Sequence, residues 1–359
     1  MIKRLLAVGL MGILLQNTAI AEDNPDTLNL KANMKISAAA FNAHGKRTAV
    51  AHVFGDKNWE QWGCGVIKGE DDKYHMFYAR WPKKLGHNAW LTHSEIAHAV
   101  AEKPEGPYTY VDTALSCNGG DWDQITAHNP KIKHFDGKYY LYYISTHDSG
   151  MNASEDKLQK AHSDKGYWKI LRFNQRSGVA VSDSLNGPWK RCEKPIIEPS
   201  GPIANLTVNP TVTKGSDGKY WMMIKGDKPG SGRQRNQAIA ISDVPVGPFV
   251  LQPKPAIDGF DTEDADLWYD KNRKRFYALF HMHKNIGLIT SPDGLNWTKA
   301  KSFKVTPNKT LINAETGKQR RIKRVERPFV LLDENDEPMM IFVTALQGSS
   351  YNFVLTLEK

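Results

Sequence analysis

The chain has 359 residues, a formal net charge of +9 and only three cysteines, Cys64, Cys117 and Cys192. An odd count allows at most one disulfide, and no CxxC spacing occurs, so the sulfurs read as buried structural groups rather than metal ligands or nucleophiles. Scattered Lys and Arg, with one cluster from Lys318 to Arg324, suit solubility or an anionic glycan; neither a nucleic-acid nor a membrane partner is expected.

Lys3-Arg4, the apolar run Leu5 to Leu15 and the small-residue site Ala19-Ile20-Ala21 form the pattern of a cleaved secretory signal peptide, residues 1–21. The run is too short to span a bilayer, which takes about 20 residues. The expected mature chain, 22–359, is a soluble periplasmic or secreted protein.

Five stretches then share one grammar. They are "WGCGVIKGEDDKYHMFYA" from Trp62, "HNPKIKHFDGKYYLYYIS" from His128, "VNPTVTKGSDGKYWMMIK" from Val208, "EDADLWYDKNRKRFYALFH" from Glu263 and "ERPFVLLDENDEPMMIFVT" from Glu326. Each is a polar or tight opening, an alternating strand, a turn rich in Asp, Gly, Lys or Asn, and an aromatic or β-branched return strand, which is a hairpin. A second motif follows several of them: "EGPYTYVD", "SDSLNGPWKRCE", "SDVPVGPFVLQP" and "SPDGLNWTKAK". Two hairpin-like motifs per unit make four short strands, and paired recurrence at intervals of roughly 50 to 80 residues predicts an all-β fold, a single five-bladed β-propeller. "HSEIAHAVAEK" from His93 is expected as a strand and turn. The polar insertion from Thr146 to Lys169 is expected as a long loop over one face.

In such a fold the residues that open the five hairpins converge at one end of the axis. They are Trp62-Gly63, His128-Asn129, Val208-Asn209, Glu263-Asp264 and Glu326-Arg327. Asp266 shares a face with Asp264 if the strand is regular. Glu263, Asp264 and Asp266 form a dense acidic cluster whose like charges repel unless a ligand, a cation or a shifted pKa relieves them. The set pairs amides, an imidazole and carboxylates with nearby tryptophans (Trp59, Trp62, Trp81, Trp90, Trp122), which suits sugars: apolar C–H faces stack while hydroxyls bond. No cofactor is called for. A divalent cation at the acidic cluster is an option without HxxH-type spacing behind it.

The second, third and fourth hairpins, with "IAISDVPVGPF" and "LITSPDGLNW", resemble the blades of five-bladed glycoside hydrolases of family 43 and especially family 117, over most of the mature chain. The resemblance implies an exo-acting enzyme on plant or algal oligosaccharides. That family chemistry uses two acidic groups across the scissile bond, with a third tuning a pKa. Here the place of the first-hairpin Asp base holds Trp62-Gly63, that of the third-hairpin Asp holds Asn209, and Glu263 stands where family 117 has its acid, a His.

Three readings follow. The first is a glycoside hydrolase on acidic oligosaccharides with Glu263, Asp264, His128 and Glu326 as catalytic candidates, and Asn129, Asn209, Arg327, Asp266 and Trp62 as substrate-binding ones. The second is a lyase or dehydratase eliminating from a uronic acid, with a histidine base drawn from His128, His44, His52, His87, His93, His147, His281 or His283, and Asn or Arg neutralising the carboxylate. The third is a glycan-binding propeller without catalysis.

Overall fold

The computed structural model describes residues 25–358 except 47, 233, 260, 283, 284 and 307; the expected leader and His283 lie outside them. Five separate four-stranded antiparallel sheets hold most of the strand residues of the described chain. The first is built from Trp59–Lys68, Tyr74–Pro82, Glu95–Ala101 and Thr109–Leu115, and the second from His128–Phe135, Lys138–Ser145, Arg176–Ser182 and Lys190–Arg191. The third holds Ala204–Lys214, Tyr220–Asp227, Arg235–Ser242 and Val250–Ile257, and the fourth Glu263–Asp270, Arg275–Met282, Asn285–Ser291 and Thr298–Lys304. The fifth is closed by a strand from far upstream: Val53–Phe54 pairs with Ser350–Thr356, which pairs in turn with Pro338–Leu346 and Arg324–Leu332.

The leading strands of successive sheets touch in cyclic order, and the last touches the first. Side-chain alternation explains how one strand serves two interfaces, since successive residues face opposite sides. In the second strand of the first sheet, Tyr78 packs toward the fifth sheet with Phe329 and Phe342, whereas Phe77 packs toward the second with Ile132 and Leu141. Met222 and Met223 divide in the same way between the second and fourth sheets. Each sheet-to-sheet interface therefore has its own apolar core. The largest also takes in Leu28, Leu30, Phe41 and the small sheet formed by Lys35–Ile36, Thr310–Asn313 and Gln319–Arg321.

The "HSEIAHAVAEK" stretch is a strand, Glu95–Ala101, preceded by one helical turn, Trp90–His93. The insertion after Thr146 departs from the expected loop, because two helices lie within it, Glu155–Lys160 and Lys165–Phe173. Ser154 and Asp164 cap them through side-chain oxygens. Tyr167 and Leu171, four residues apart, bury one face of the second helix against Leu91, Ile125 and Ala161. That short amphipathic pattern is hidden in a polar stretch. All three cysteines are free thiols. Among the described residues no helix is long and apolar enough to cross a membrane.

Candidate active site

Every leading strand breaks register at the same place. The irregularity falls between Trp62 and Cys64, His128 and Lys131, Val208 and Thr211, Glu263 and Asp266, and Glu326 and Phe329. At each bulge one residue takes a left-handed backbone conformation: Gly63 (φ 66°), Asn129 (51°), Asn209 (57°), Asp264 (60°) and Arg327 (57°). Gly accepts this freely and Asn and Asp tolerate it, but Arg does not ordinarily adopt it. A bulge re-aims side chains, so the five residues turn toward one another.

Asn209 Nδ2 donates to Asp264 Oδ1 at 2.6 Å, and Arg327 Nε lies 3.2 Å from Asp264 Oδ2. The Asn129 amide lies 2.9 Å from Asn209 Oδ1, and this contact is a hydrogen bond only when the Asn129 nitrogen faces that oxygen. With its oxygen turned toward Arg327, the Asn129 amide accepts from both terminal guanidinium nitrogens at 2.6 and 2.7 Å, and its nitrogen reaches His128 Nε2 at 3.0 Å; the charge-assisted contacts favour that orientation. Gly63 completes the circuit by omission. A Cβ there would meet the Asn129 amide at 3.4 Å and the Arg327 stem at 3.6 Å, ordinary contact distances, so Gly63 only leaves the ring without a fifth side chain.

Asp266 does not join Asp264, because the bulge cancels the expected alternation. It lies fully buried one layer below, accepting from Thr211 Oγ1 (3.2 Å) and Val330 N (2.7 Å) and paired with Lys131 Nζ at 3.2 Å. The acidic cluster is thereby split over two levels.

Above the ring opens a pocket of about 220 Å³. Trp62, His128, Val208, Glu263 and Glu326, the residues just before the bulges, all line it, with Asn129, Asn209 and Arg327 also on its wall. Glu263 is held by Lys225 at 2.7 Å and Arg235 at 2.9 Å. Burial works against its charge, yet the two cations outweigh burial and hold its carboxyl well below the usual range. A carboxyl so held carries no proton to give, so the acid role suggested by its position does not fit. Glu326 is gripped by Arg324 at 2.7 and 2.8 Å. Asp264 is countered by Arg327 and, at 3.4 Å, by Lys225.

His128 is buried, with Nδ1 2.6 Å from Ser94 Oγ and its ring stacked on Trp90 at 5.4 Å. Burial first, then the Arg327 charge, push its pKa well down, so the imidazole is neutral. Trp62 is a wall rather than an open platform: it is buried, with the Arg324 guanidinium 5.0 Å over its ring and His87 edge-on at 5.2 Å. His44 lies in the fold's interior against Tyr351 and Phe353, away from the pocket lining.

Several pocket residues had no place among the leading pairs. Lys225 faces Val208 across the hairpin, so extending the repeat to cross-strand partners would have found it. His281, already a candidate base, faces Glu263 and is buried 3.9 Å from Glu326, outside the pocket lining. Arg172 comes from the inserted helix and makes a two-pronged pair with Asp227 at 2.9 and 2.7 Å. No repeat announces it. For a metal, Asp264, His281 and Glu326 bring one ligand atom each within 4.8 Å of one another, but the two carboxylates already have Arg327, Lys225 and Arg324 as counter-ions. Of the acidic cluster, only Asp264 belongs to that set.

No protein-family model matches the chain, and no curated protein matches it in sequence. Solved structures do resemble it. Zg3597, a family 117 glycoside hydrolase from the marine bacterium Zobellia galactanivorans, is 15% identical over 92% of this chain and 88% of its own, with a TM-score of 0.57. A GH43_1 enzyme from Xanthomonas citri complexed with xylotriose is 13% identical over 89% and 94%, with a TM-score of 0.54. An endo-arabinase from Bacteroides thetaiotaomicron is 11% identical over 84% and 95%, with a TM-score of 0.51. The family 117 and family 43 enzymes are five-bladed β-propellers. At these identities the likeness is one of fold.

Proposed function

We propose that the five sheets are blades of a five-bladed propeller, and that the pocket at the mouth of its axis is the active site of an exported carbohydrate-active enzyme. Its substrate is an acidic oligosaccharide whose terminal residue enters the pocket. The observation that carries this reading is the lining: Arg172, Lys225, Arg235, Arg324 and Arg327 outnumber Asp227, Glu263 and Glu326, beside a wall of Trp62, Trp81 and Trp90. Such a pocket has a net attraction for a carboxylate or sulfate and an apolar side for a sugar face. The oligosaccharide and the glycoside hydrolases named among the structures of similar fold are in keeping with a sugar substrate.

The carboxylates bear on the chemistry. Hydrolysis asks for a carboxyl that holds a proton for the leaving oxygen. Glu263, Asp264 and Glu326 are each ion-paired. Elimination asks instead for a neutral base and for cations that neutralise a uronate carboxylate as its α-carbon gives up a proton. The pocket offers neutral imidazoles and five cations, so elimination from a uronic acid is the reading its geometry favours. Hydrolysis is the second reading: Glu263 as the ionised base, and Glu326 as the acid once substrate has displaced Arg324. It is favoured by the shared fold.

Incubation with oligouronides and with neutral oligosaccharides tests the proposal. An ultraviolet-absorbing unsaturated product from the acidic substrates supports elimination, and new reducing ends without absorbance support hydrolysis. Binding without any product would leave only a glycan-binding protein, and turnover confined to neutral sugars would refute the acidic substrate.

A further inference from the structure

A relay of side chains crosses the junction between the first and fifth sheets and ends in the pocket. Buried Glu60, in the leading strand of the first sheet, accepts from Ser350 N at 2.7 Å and from the Ser350 hydroxyl. Ser350 Oγ lies 3.4 Å from His87 Nδ1, and His87 Nε2 lies 3.4 Å from an Arg324 terminal nitrogen. His87 lines the pocket and is only partly buried.

These partners select one tautomer. The Ser350 hydroxyl spends its proton on the Glu60 carboxylate, so toward His87 it is an acceptor, and Nδ1 carries the hydrogen. Arginine only donates, so Nε2 presents a lone pair. The ring is further fixed edge-on against Trp62 at 5.2 Å and beside Trp81 at 5.9 Å. His128, by contrast, is deeply buried, with one ring nitrogen on Ser94 and the other beside the Asn129 amide.

We infer that His87 is the proton-transferring catalytic residue of this pocket, with Ser350 and Glu60 as its positioning residues. The inference rests on the eliminative reading of the site. As Arg324 turns from His87 to the substrate carboxylate, it frees the Nε2 lone pair, which takes the proton from the carbon α to that carboxylate. That C–H bond breaks, and its electron pair moves into the carboxylate neutralised by the pocket cations. The pair then returns to form the carbon–carbon double bond as the adjacent C–O bond breaks. The departing oxygen takes the proton back from His87, leaving as water or as the hydroxyl of the neighbouring sugar. Nothing is oxidised or reduced, and the imidazole ends neutral. The charged and titratable groups around it are Arg324 and Glu326 from the fifth sheet, Glu60 from the first and His128 from the second. Burial, then Arg324, lower the His87 pKa, against weaker support from Glu60 and Glu326, which keeps it a base into mildly acidic solution.

The test is steady-state kinetics of the full chain on an oligouronide that the wild type converts to an unsaturated product. His87→Gln should lower kcat about a thousandfold with KM little changed. Ser350→Ala, which leaves the imidazole in place, should lower kcat about 10- to 100-fold at unchanged KM, with recovery in Ser350→Thr. If His87→Gln fails to fold, the Ser350 pair decides by the same criteria. Wild-type rates in either His87→Gln or Ser350→Ala would overturn the assignment while leaving elimination intact. A wild type that yields only saturated sugars would overturn the eliminative reading, and this inference with it.

Discussion

Asn209 and Asp264 hold the same place in neighbouring sheets, each at the bulge of a leading strand, and are joined by a 2.6 Å hydrogen bond from amide to carboxylate. The pairing depends on which of the two is charged. Asn209→Asp would set two buried carboxylates against each other, so one must take up a proton or the ring must open. The expected loss is about 3 kcal/mol in urea unfolding. The double variant Asn209→Asp with Asp264→Asn restores one donor and one acceptor, and should recover part of that loss, as a coupling between contacting residues requires.

Two glycines of the first leading strand should respond differently to the same methyl group. At Gly65 a Cβ would meet the backbone nitrogen of Ile132 in the next sheet at 2.8 Å, whereas at Gly63 its nearest neighbour is the Asn129 side-chain amide at 3.4 Å. Gly65→Ala forces two sheets apart and should cost about 2–3 kcal/mol. Gly63→Ala carries only the penalty of its positive φ, about 1 kcal/mol. Equal melting temperatures for the two variants would contradict this account of the packing.

His44 gives the fold an acid sensitivity separate from the pocket. It is buried, with Nδ1 3.0 Å from the Tyr351 hydroxyl, and burial, helped by Arg320, lowers its pKa to about 3. The unfolded chain binds this proton near pH 6.5 and the folded chain does not. Stability from this group is therefore complete above about pH 6.5 and lost as pH falls toward 3, by up to about 5 kcal/mol. His44→Gln should flatten the pH dependence of unfolding over that window.

Glu263 has the same sign of linkage in a lower window. Its folded pKa is depressed, so its contribution is present above about pH 4.3 and declines below it. Glu263→Gln should remove that decline. It also removes one of two counter-charges from each cation, leaving Lys225 to Asp264 and Arg235 to Asp261, so turnover should fall about 10- to 100-fold under either chemistry. Near-normal turnover would show that the carboxylate serves only the fold.

Much of this architecture could be read from the chain. Strand alternation and turn chemistry carry the four-stranded units, and the paired motifs carry their repetition. The leading residues Trp62, His128, Val208, Glu263 and Glu326 do gather at one pocket. What resisted reading was whatever depends on backbone irregularity or on partners far away in sequence. The bulge that separates Asp266 from Asp264 leaves no mark in an alternating pattern. The cations that hold Glu263 ionised come from a different sheet. The helix that delivers Arg172 is nine residues long and turns only Tyr167, Leu171 and the partly buried Trp168 toward its small core.

The fifth sheet takes its outermost strand from Val53–Phe54, paired with Phe353 and Asn352. Contacts so distant along the chain form at a high entropic cost and tend to come late in folding. The seam they close also bears the Glu60–Ser350 contact and the bond from Gly63 N to Thr344 Oγ1 at 2.7 Å. A chain that had folded four sheets and left this clasp undone would keep most of its apolar core, yet would lack the alignment of His87. Under the proposed function, turnover is then a more sensitive gauge of the clasp than secondary structure: a partly assembled protein would look folded by circular dichroism and convert no substrate.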